Sequence, residues 1–446
     1  WIYDLQMMAD PEIIGPDLNQ TGITTALFDI TLENTDTVVH KVEYRFIPRI
    51  TPDDGGLDCE DGLDTTITIW VNPTPEIRIS TDTVICDGEV VTINIGNPNV
   101  SIRGDWKYNL VVTTEPEIGG AHPGGPDLDL ATLPEILTNS DTVVHYVDYQ
   151  FTPLIYNDDG AVVSCPNGID TTIRIWVNPT PEIRVSAADT VICDGENFII
   201  DVRNPNIPVR GNWLYDLEMT AESGIIGPDL NQTGITTASF DITLENTDTI
   251  VHKVEYRFIP RIIPDDSGLD CTNGLDTTIV IWVNPIPEIR LNAPDTVICD
   301  GETANIQVRN PNNPIRGTWL YDLVVTPDSE ISGSVASQPG ITTTLFNETL
   351  TNSDTVVHKV TYHFTPRIIP DDAGAECGNG DTTITIWVNP SPGILVSAPD
   401  SVLCDDSDVS FLIHNPNQSV RGDWKYNLAV DYGAHVTGLN VGGEYT

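Results

Sequence analysis

The residues whose types could do chemistry here are cysteines, carboxylates and histidines, and each class recurs at fixed spacing. Cys59, Cys165, Cys271 and Cys377 stand 106 residues apart, while Cys86, Cys193, Cys299 and Cys404 follow at steps of 107, 106 and 105. Two cysteines per period, in register, point to disulfides and an oxidising compartment. Zinc fits poorly, because no CxxC pair or Cys/His cluster exists. Before each cysteine of the first set runs an acidic loop: PDDGGLDCEDGLD from Pro52, NDDGAVVSCPNGID from Asn157, PDDSGLDCTNGLD from Pro264 and PDDAGAECGNGD from Pro370. Asp53, Asp54, Asp158, Asp159, Asp265, Asp266, Asp371 and Asp372 offer hard oxygen ligands that Ca²⁺ would accept. The spacing is not that of an EF-hand loop and it changes between copies, so solvated turn residues are the plainer reading. No cofactor is expected, with Ca²⁺ as the single candidate. His40, His145, His252 and His358 recur in strands reading TVVHKVxYxF and their variants. Alternation places His40 with Val42, Tyr44 and Phe46, which suits a partly buried structural histidine. No serine or cysteine nucleophile recurs beside it, so catalysis is not expected.

What positions these residues is a tandem repeat. DTTITIWVNPTPEIRISTDTVICDGE from Asp64 returns from Asp170, Asp276 and, with more change, Asp381. Each copy joins a strand ending in Trp-Val, an Asn-Pro-x-Pro linker, a second strand and a cysteine on a turn. Trp1, Trp106, Trp213, Trp319 and Trp424 mark the same period. A unit of about a hundred residues can bury its own core and is too long for a solenoid repeat. The expected modules are 74–179, 180–285 and 286–390, with partial modules at 1–73 (opening strands missing) and 391–446 (closing strands missing). The chain thus reads as a window on a longer repetitive protein.

The 20 basic against 66 acidic residues give a formal charge of −46, which repels nucleic acid phosphates and favours solubility. No transmembrane run occurs. Within 74–179 the pattern is of short strands. Residues 76–80 and 83–85 form a broken first strand. Val90 to Ile95 alternates as a second, and Trp106, Tyr108, Leu110 and Val112 share one face of a third. A Gly/Pro-rich middle runs from Glu115 to Leu133, and strands Val143 to Phe151 and Thr171 to Val177 follow. About seven strands with turn signals between them and no amphipathic helix predict an all-β chain of immunoglobulin-like sandwiches strung end to end. Trp106 is expected in the core, and Tyr44, Tyr149, Tyr256 and Tyr362 as corner tyrosines. In TTITIWV the isoleucines share one face, leaving Trp70, and likewise Trp176, Trp282 and Trp387, on the other. These tryptophans suit packing on the neighbouring module or on their own sheet edge, the joint being the favoured choice.

These signatures resemble the PKD-like and immunoglobulin-like tandem repeats of Bacteroidota surface proteins. The matching residues are IleCysAspGlyGlu at 298–302, ValThrTyrHisPheThrPro at 360–366, and Cys377 through Pro390, and the match touches every module. The resemblance implies a stalk or filament of a giant secreted cell-surface adhesin, and not an enzyme. It also gives meaning to Asp followed by Thr or Ser at strand edges, which resembles the O-glycosylation acceptor pattern of that group. The acceptors would be Thr37, Thr65, Thr83, Thr142, Thr171, Thr190, Thr249, Thr277, Thr296, Thr355, Thr382 and Ser401. The alternative is that Asp-Thr merely starts a strand after a turn.

In such a sandwich the turn after the first strand lies at the bottom and the loop before the closing strand at the top. A disulfide needs Cα atoms within about 7 Å. Cys86 is therefore expected to approach Cys271 across a joint, and Cys193 to approach Cys377. Cys59, Cys165, Cys299 and Cys404 would find partners outside the chain or stay unpaired. Pairing inside a module, Cys86–Cys165 and Cys193–Cys271, stays open if the acidic loop folds down the side. The favoured function is a structural, non-enzymatic rod segment of an extracellular bacterial adhesin or filament. Its partners would be neighbouring modules and other copies, with no nucleic acid and no membrane span. The rival is an array of recognition modules that bind glycans or proteins through the variable middle loops. IIGPDLNQTGITTALFDITLENTDT from Ile13 matches the stretch from Ile225 at all but one position, which favours the spacer over distinct readers.

Overall fold

A computed structural model describes every residue except 1, 61, 159–163, 267, 379 and 439–441. Trp1 and the candidate ligand Asp159 lie outside the described residues. Among the described residues there is no helix, and the chain is a succession of small antiparallel sheets. Residues 74–179 show how one module is built. Val91, Ile93 and Ile95 are buried while Val90, Thr92 and Asn94 face out, so the strand Val90–Gly96 uses its alternation to bury one face. It pairs with Arg78–Ser80 on one side and Thr132–Ile136 on the other, giving a three-stranded sheet.

The facing sheet runs Gly125–Leu128, Gly104–Thr114, His145–Asn157, Thr171–Asn178, and then Val84–Cys86 at its edge. That last pairing is parallel, with Trp176 opposite Val84 and Asn178 opposite Cys86. The first strand is therefore split between the two sheets, and its second half ends at a cysteine beside the close of the module. Modules 180–285 and 286–390 repeat this plan, with Val191–Cys193 parallel to Thr277–Asn284 and Val297–Cys299 parallel to Thr382–Asn389. Two such sheets packed face to face are an immunoglobulin-like sandwich.

Each sandwich has its own core, one between Ile77 and Val177, one between Ile183 and Val283, and one between Ile289 and Val388. The largest fully buried side chains are tyrosines and phenylalanines, such as Tyr108, Tyr149 and Phe151. Burial of each apolar side chain of this size contributes about 1.5–3 kcal/mol. Two expectations are corrected here. Trp106 is partly buried and packs against the core from its rim, while Tyr108, two residues on, fills the centre. The late tyrosines are central core residues and make no backbone corner bond; Tyr362 donates its hydroxyl to Glu348 Oε2 at 2.6 Å.

Among the described residues of 2–71 are a four-stranded sheet, Gln20–Ile23, Ile2–Ala9, His40–Arg49 and Thr65–Val71, and a two-stranded one, Ile13–Ile14 with Glu33–Asn34. Ile69 is 41% exposed there, whereas its equivalent Ile175 is fully buried, because in the complete module a second sheet covers that face. Residues 391–446 hold two two-stranded sheets, Leu395–Ser397 with Leu412–His414 and Tyr426–Leu428 with Gly443–Tyr445.

Candidate functional site: the joint between modules

The chemistry-bearing residues converge on the joints. In the joint around Pro179, Asn178 is fully buried at the end of the closing strand. Its side-chain N–H donates to Arg210 O at 2.9 Å and its Oδ1 accepts Arg210 N at 2.8 Å, so the carboxamide pairs with one residue as a backbone unit would. Asn206 of the next module is also fully buried. Its Oδ1 accepts Glu182 N at 2.6 Å, and its Nδ2 donates to Thr180 O at 3.3 Å and to Thr142 O at 2.9 Å. One side chain thus ties the linker, its own loop and the Asp-Thr turn of the preceding module. Asn204 Oδ1 accepts Asn206 N at 2.7 Å and so fixes the loop beforehand. Asn99, Asn312 and Asn417 make the same set of contacts at the other three joints, reaching Thr37 O, Thr249 O and Thr355 O.

Around the linker, the backbone also crosses directly: Val144 N donates to Pro208 O and Val251 N to Pro314 O. Trp213 Nε1 donates to Glu182 O at 3.1 Å. The tryptophans on the outward face of the closing strands meet the arginine of the following module. Arg103 lies over Trp70, Arg210 over Trp176, Arg316 over Trp282 and Arg421 over Trp387, at 5.4, 5.0, 4.8 and 3.9 Å from the ring centres. A cation over an indole face is attractive, and this places those tryptophans in the joint.

The same joint carries the cysteines. Cys86 is bonded to Cys271 and Cys193 to Cys377, each with Cα atoms 5.3 Å apart. The within-module pairs Cys86–Cys165 and Cys193–Cys271 are not formed. Cys59, Cys299 and Cys404 are exposed thiols and Cys165 is half-buried, where burial pushes its thiol above the ordinary value. The disulfide of Cys86 and Cys271 packs with Ile262, Val209 and Trp213.

The acidic loop beside it explains its own carboxylates. Asp266 Oδ2 accepts Val84 N at 2.7 Å, Thr83 N at 3.0 Å and Thr83 Oγ1 at 3.2 Å, all in the preceding module. Asp372 makes the same three contacts to Val191 and Thr190. Burial opposes the charge on Asp266, but the amides of Gly268, Val84 and Thr83 hold its carboxyl below the ordinary range. A Cβ at Gly268 would come within 3.1 Å of Val84 O, a tight approach at the joint. In three of the four pairs the first aspartate turns to an arginine: Asp158 to Arg103 at 3.0 Å, Asp265 to Arg210 at 3.4 Å and Asp371 to Arg316 at 3.5 Å. Asp54 Oδ1 accepts Gly56 N in its own turn. Among the described residues, no group of three or more His, Cys, Asp or Glu is arranged to hold a metal ion.

The threonines of the Asp-Thr pattern divide by position. Thr37, Thr65 and Thr355 are exposed, whereas Thr142 and Thr249 are half-buried. The hydroxyls of Thr83 and Thr190 already donate to the joint aspartates. The recurring histidines sit between carboxylates above the Asp-Thr turn. The Asn-Pro-Asn asparagines are the functional residues that sequence reasoning passed over as loop chemistry. Their signal was the recurrence of Asn97-Pro98-Asn99 in every module, in register with the Asn-Pro-x-Pro linker.

No family model and no curated protein matches this sequence. Among solved structures, the chain is similar to an Escherichia coli adhesin, FdeC, at 12% identity, over 71% of this chain and 96% of that one, with a TM-score of 0.29. Invasin, a bacterial integrin-binding protein, matches at 15% identity over 90% of this chain and 75% of its own, with a TM-score of 0.27. The N-terminal eight Ig domains of Down Syndrome Cell Adhesion Molecule match at 9% identity over 87% and 45%, with a TM-score of 0.30. The immunoglobulin-like assignment rests on the sheet topology described above.

Proposed function

We propose that this chain is a load-bearing, non-enzymatic segment of an extracellular bacterial adhesin or filament, in which each module is locked to the next. The observation that supports this reading best is the pairing of covalent and hydrogen-bonded ties at one joint. Cys86–Cys271 closes the joint covalently, and Asn178 and Asn206, both fully buried, close it by hydrogen bonds. A linker of one chain segment could serve as a hinge; a covalent tie together with buried hydrogen bonds resists bending there. The disulfides suit an oxidising, extracellular setting, and the high negative charge keeps such a protein soluble. Exposed threonines such as Thr37 and Thr65 are, on this reading, acceptors for O-linked sugars.

Electron microscopy of the native object tests the proposal. Straight, unbranched rods or filaments with a repeat of one module are expected, and strings that bend freely at every module would overturn it. Turnover of a substrate by the intact chain would overturn the non-enzymatic part.

A further inference from the structure

Each of the four Asp-Thr turns is capped by a histidine held between carboxylates on both ring nitrogens. His40 Nδ1 lies 3.3 Å from Asp10 Oδ2 and its Nε2 lies 3.1 Å from Asp36 Oδ2. His145 lies 2.7 Å from Glu115 and 3.1 Å from Asp141. The distances are 3.3 Å to Glu222 and 3.2 Å to Asp248 for His252, and 3.5 Å to Asp328 and 3.0 Å to Asp354 for His358. A carboxylate only accepts hydrogen bonds, and a neutral imidazole has a single N–H. Both contacts are satisfied together only by the imidazolium.

The clamp is wired to the joint. Asp36 uses its other oxygen to accept Thr37 N at 2.7 Å, and Thr37 O accepts Asn99 Nδ2 of the next module. The same relay runs from Asp141 through Thr142 to Asn206, from Asp248 through Thr249 to Asn312, and from Asp354 through Thr355 to Asn417. We propose that the protonated histidine is the latch of each joint, holding the Asp-Thr turn in the shape that receives the next module's asparagine, so that loss of the proton slackens the joint. The device goes beyond the load-bearing role proposed above, because a rod could be rigid at every pH.

The charges facing these rings agree with the geometry. Glu12, Glu117 and Glu330 stand 3.5, 3.6 and 3.6 Å from Nδ1 of His40, His145 and His358. Lys41, Lys253 and Arg174 add positive charge near Asp10, Glu222 and Glu115 respectively. The bond to Asp36 raises His40 above the ordinary histidine value, and Asp354 does the same for His358. For His145 burial works against the charge, yet Asp141 and Glu115 leave it raised. A raised histidine contributes stability that is present in full below its unfolded value and is lost as pH rises through the folded one. The latch is therefore fully closed below the ordinary histidine value and opens as pH rises through the raised one.

Hydrogen exchange on the full chain reads this directly. The amides of Val39, Val144, Val251 and Val357 cross the joints to Ser101 O, Pro208 O, Pro314 O and Ser419 O. After correction for intrinsic rates, the protection of Val39, Val144 and Val357 is expected to fall from mildly acid to alkaline pH, about tenfold for each unit by which folding raises the ring. Amides within the sheets, such as Val147 and Tyr149, should hold. In His145→Gln the amide of Val144 should lose its pH dependence while Val357 keeps it. Protection at the joints that is constant with pH, or that falls together with the sheet amides, overturns the latch. Nitrogen NMR of the wild-type rings serves if the variant does not fold: both ring nitrogens protonated at neutral pH is the expected result, and a neutral tautomer overturns the proposal.

Discussion

The two sides of a joint are built on different sequence scales. On the linker side, Asn178 reaches Arg210 and Asn206 reaches Thr180 and Glu182, partners 24 to 32 residues apart. On the staple side, Cys86 reaches Cys271 across 185 residues and Asp266 reaches Val84 across 182. The linker side is complete wherever one module is followed by the opening loop of the next, and so appears at all four joints, Asn99 and Asn417 included. The staple side needs the turn of one module and the late loop of the following one, and it forms between 74–179 and 180–285 and between 180–285 and 286–390. Local pairing therefore needs only consecutive modules, and the long-range pair needs the late loop of the second as well.

Removing the staple should have the largest effect on that division of labour. Cys86→Ser with Cys271→Ser is expected to lower the stability of the chain by about 2–4 kcal/mol, as for a disulfide that closes a long loop. Thermal and denaturant unfolding would measure it. A loss no greater than that of a surface substitution would assign the joint's stability to the linker side alone.

Next comes the linker side. Asn206→Ala leaves Glu182 N, Thr180 O and Thr142 O without their partner, at about 1–3 kcal/mol for buried groups left unsatisfied. If the sides act on one degree of freedom, the triple variant lacking both ties will lose more than the sum of the two, which a double-mutant cycle reads.

The smallest change sharpens the staple side by pH. Asp266 is held below the ordinary carboxylate range, so its contribution is present above the unfolded value and is lost as pH falls through the lowered folded one. Asp266→Asn should cost about 1 kcal/mol at neutral pH and should flatten the acid limb of the stability profile at this joint. An unchanged acid limb would assign it to other carboxylates.

Much of this was legible in the sequence because the module is long and its landmarks are dense. Strand alternation gave Val91, Ile93 and Ile95 inward, and the order of strands put Cys86 and Cys165 at opposite ends of one sandwich. The tryptophans of the closing strands announced themselves by facing away from the isoleucines. What stayed hidden was polar. Asn206 looks like any loop asparagine until its neighbour across the joint is known, since burial of a carboxamide depends on partners that periodicity does not report. The acidic loops hid a polar role in the same way. Paired aspartates on a turn suggest a cation, yet Asp266 spends its oxygen on two backbone amides and a hydroxyl of the preceding module, and Asp265 faces Arg210. Trp106 was placed at the centre because alternation cannot distinguish the middle of a face from its rim.

The central claim is that the covalent ties run between modules, and peptide mapping of the native protein without reduction tests it most directly. The account predicts one linked pair that contains Cys86 and Cys271 and another that contains Cys193 and Cys377. Recovery of Cys86 linked to Cys165, or of Cys193 linked to Cys271, would contradict it and return each disulfide to the inside of a single sandwich.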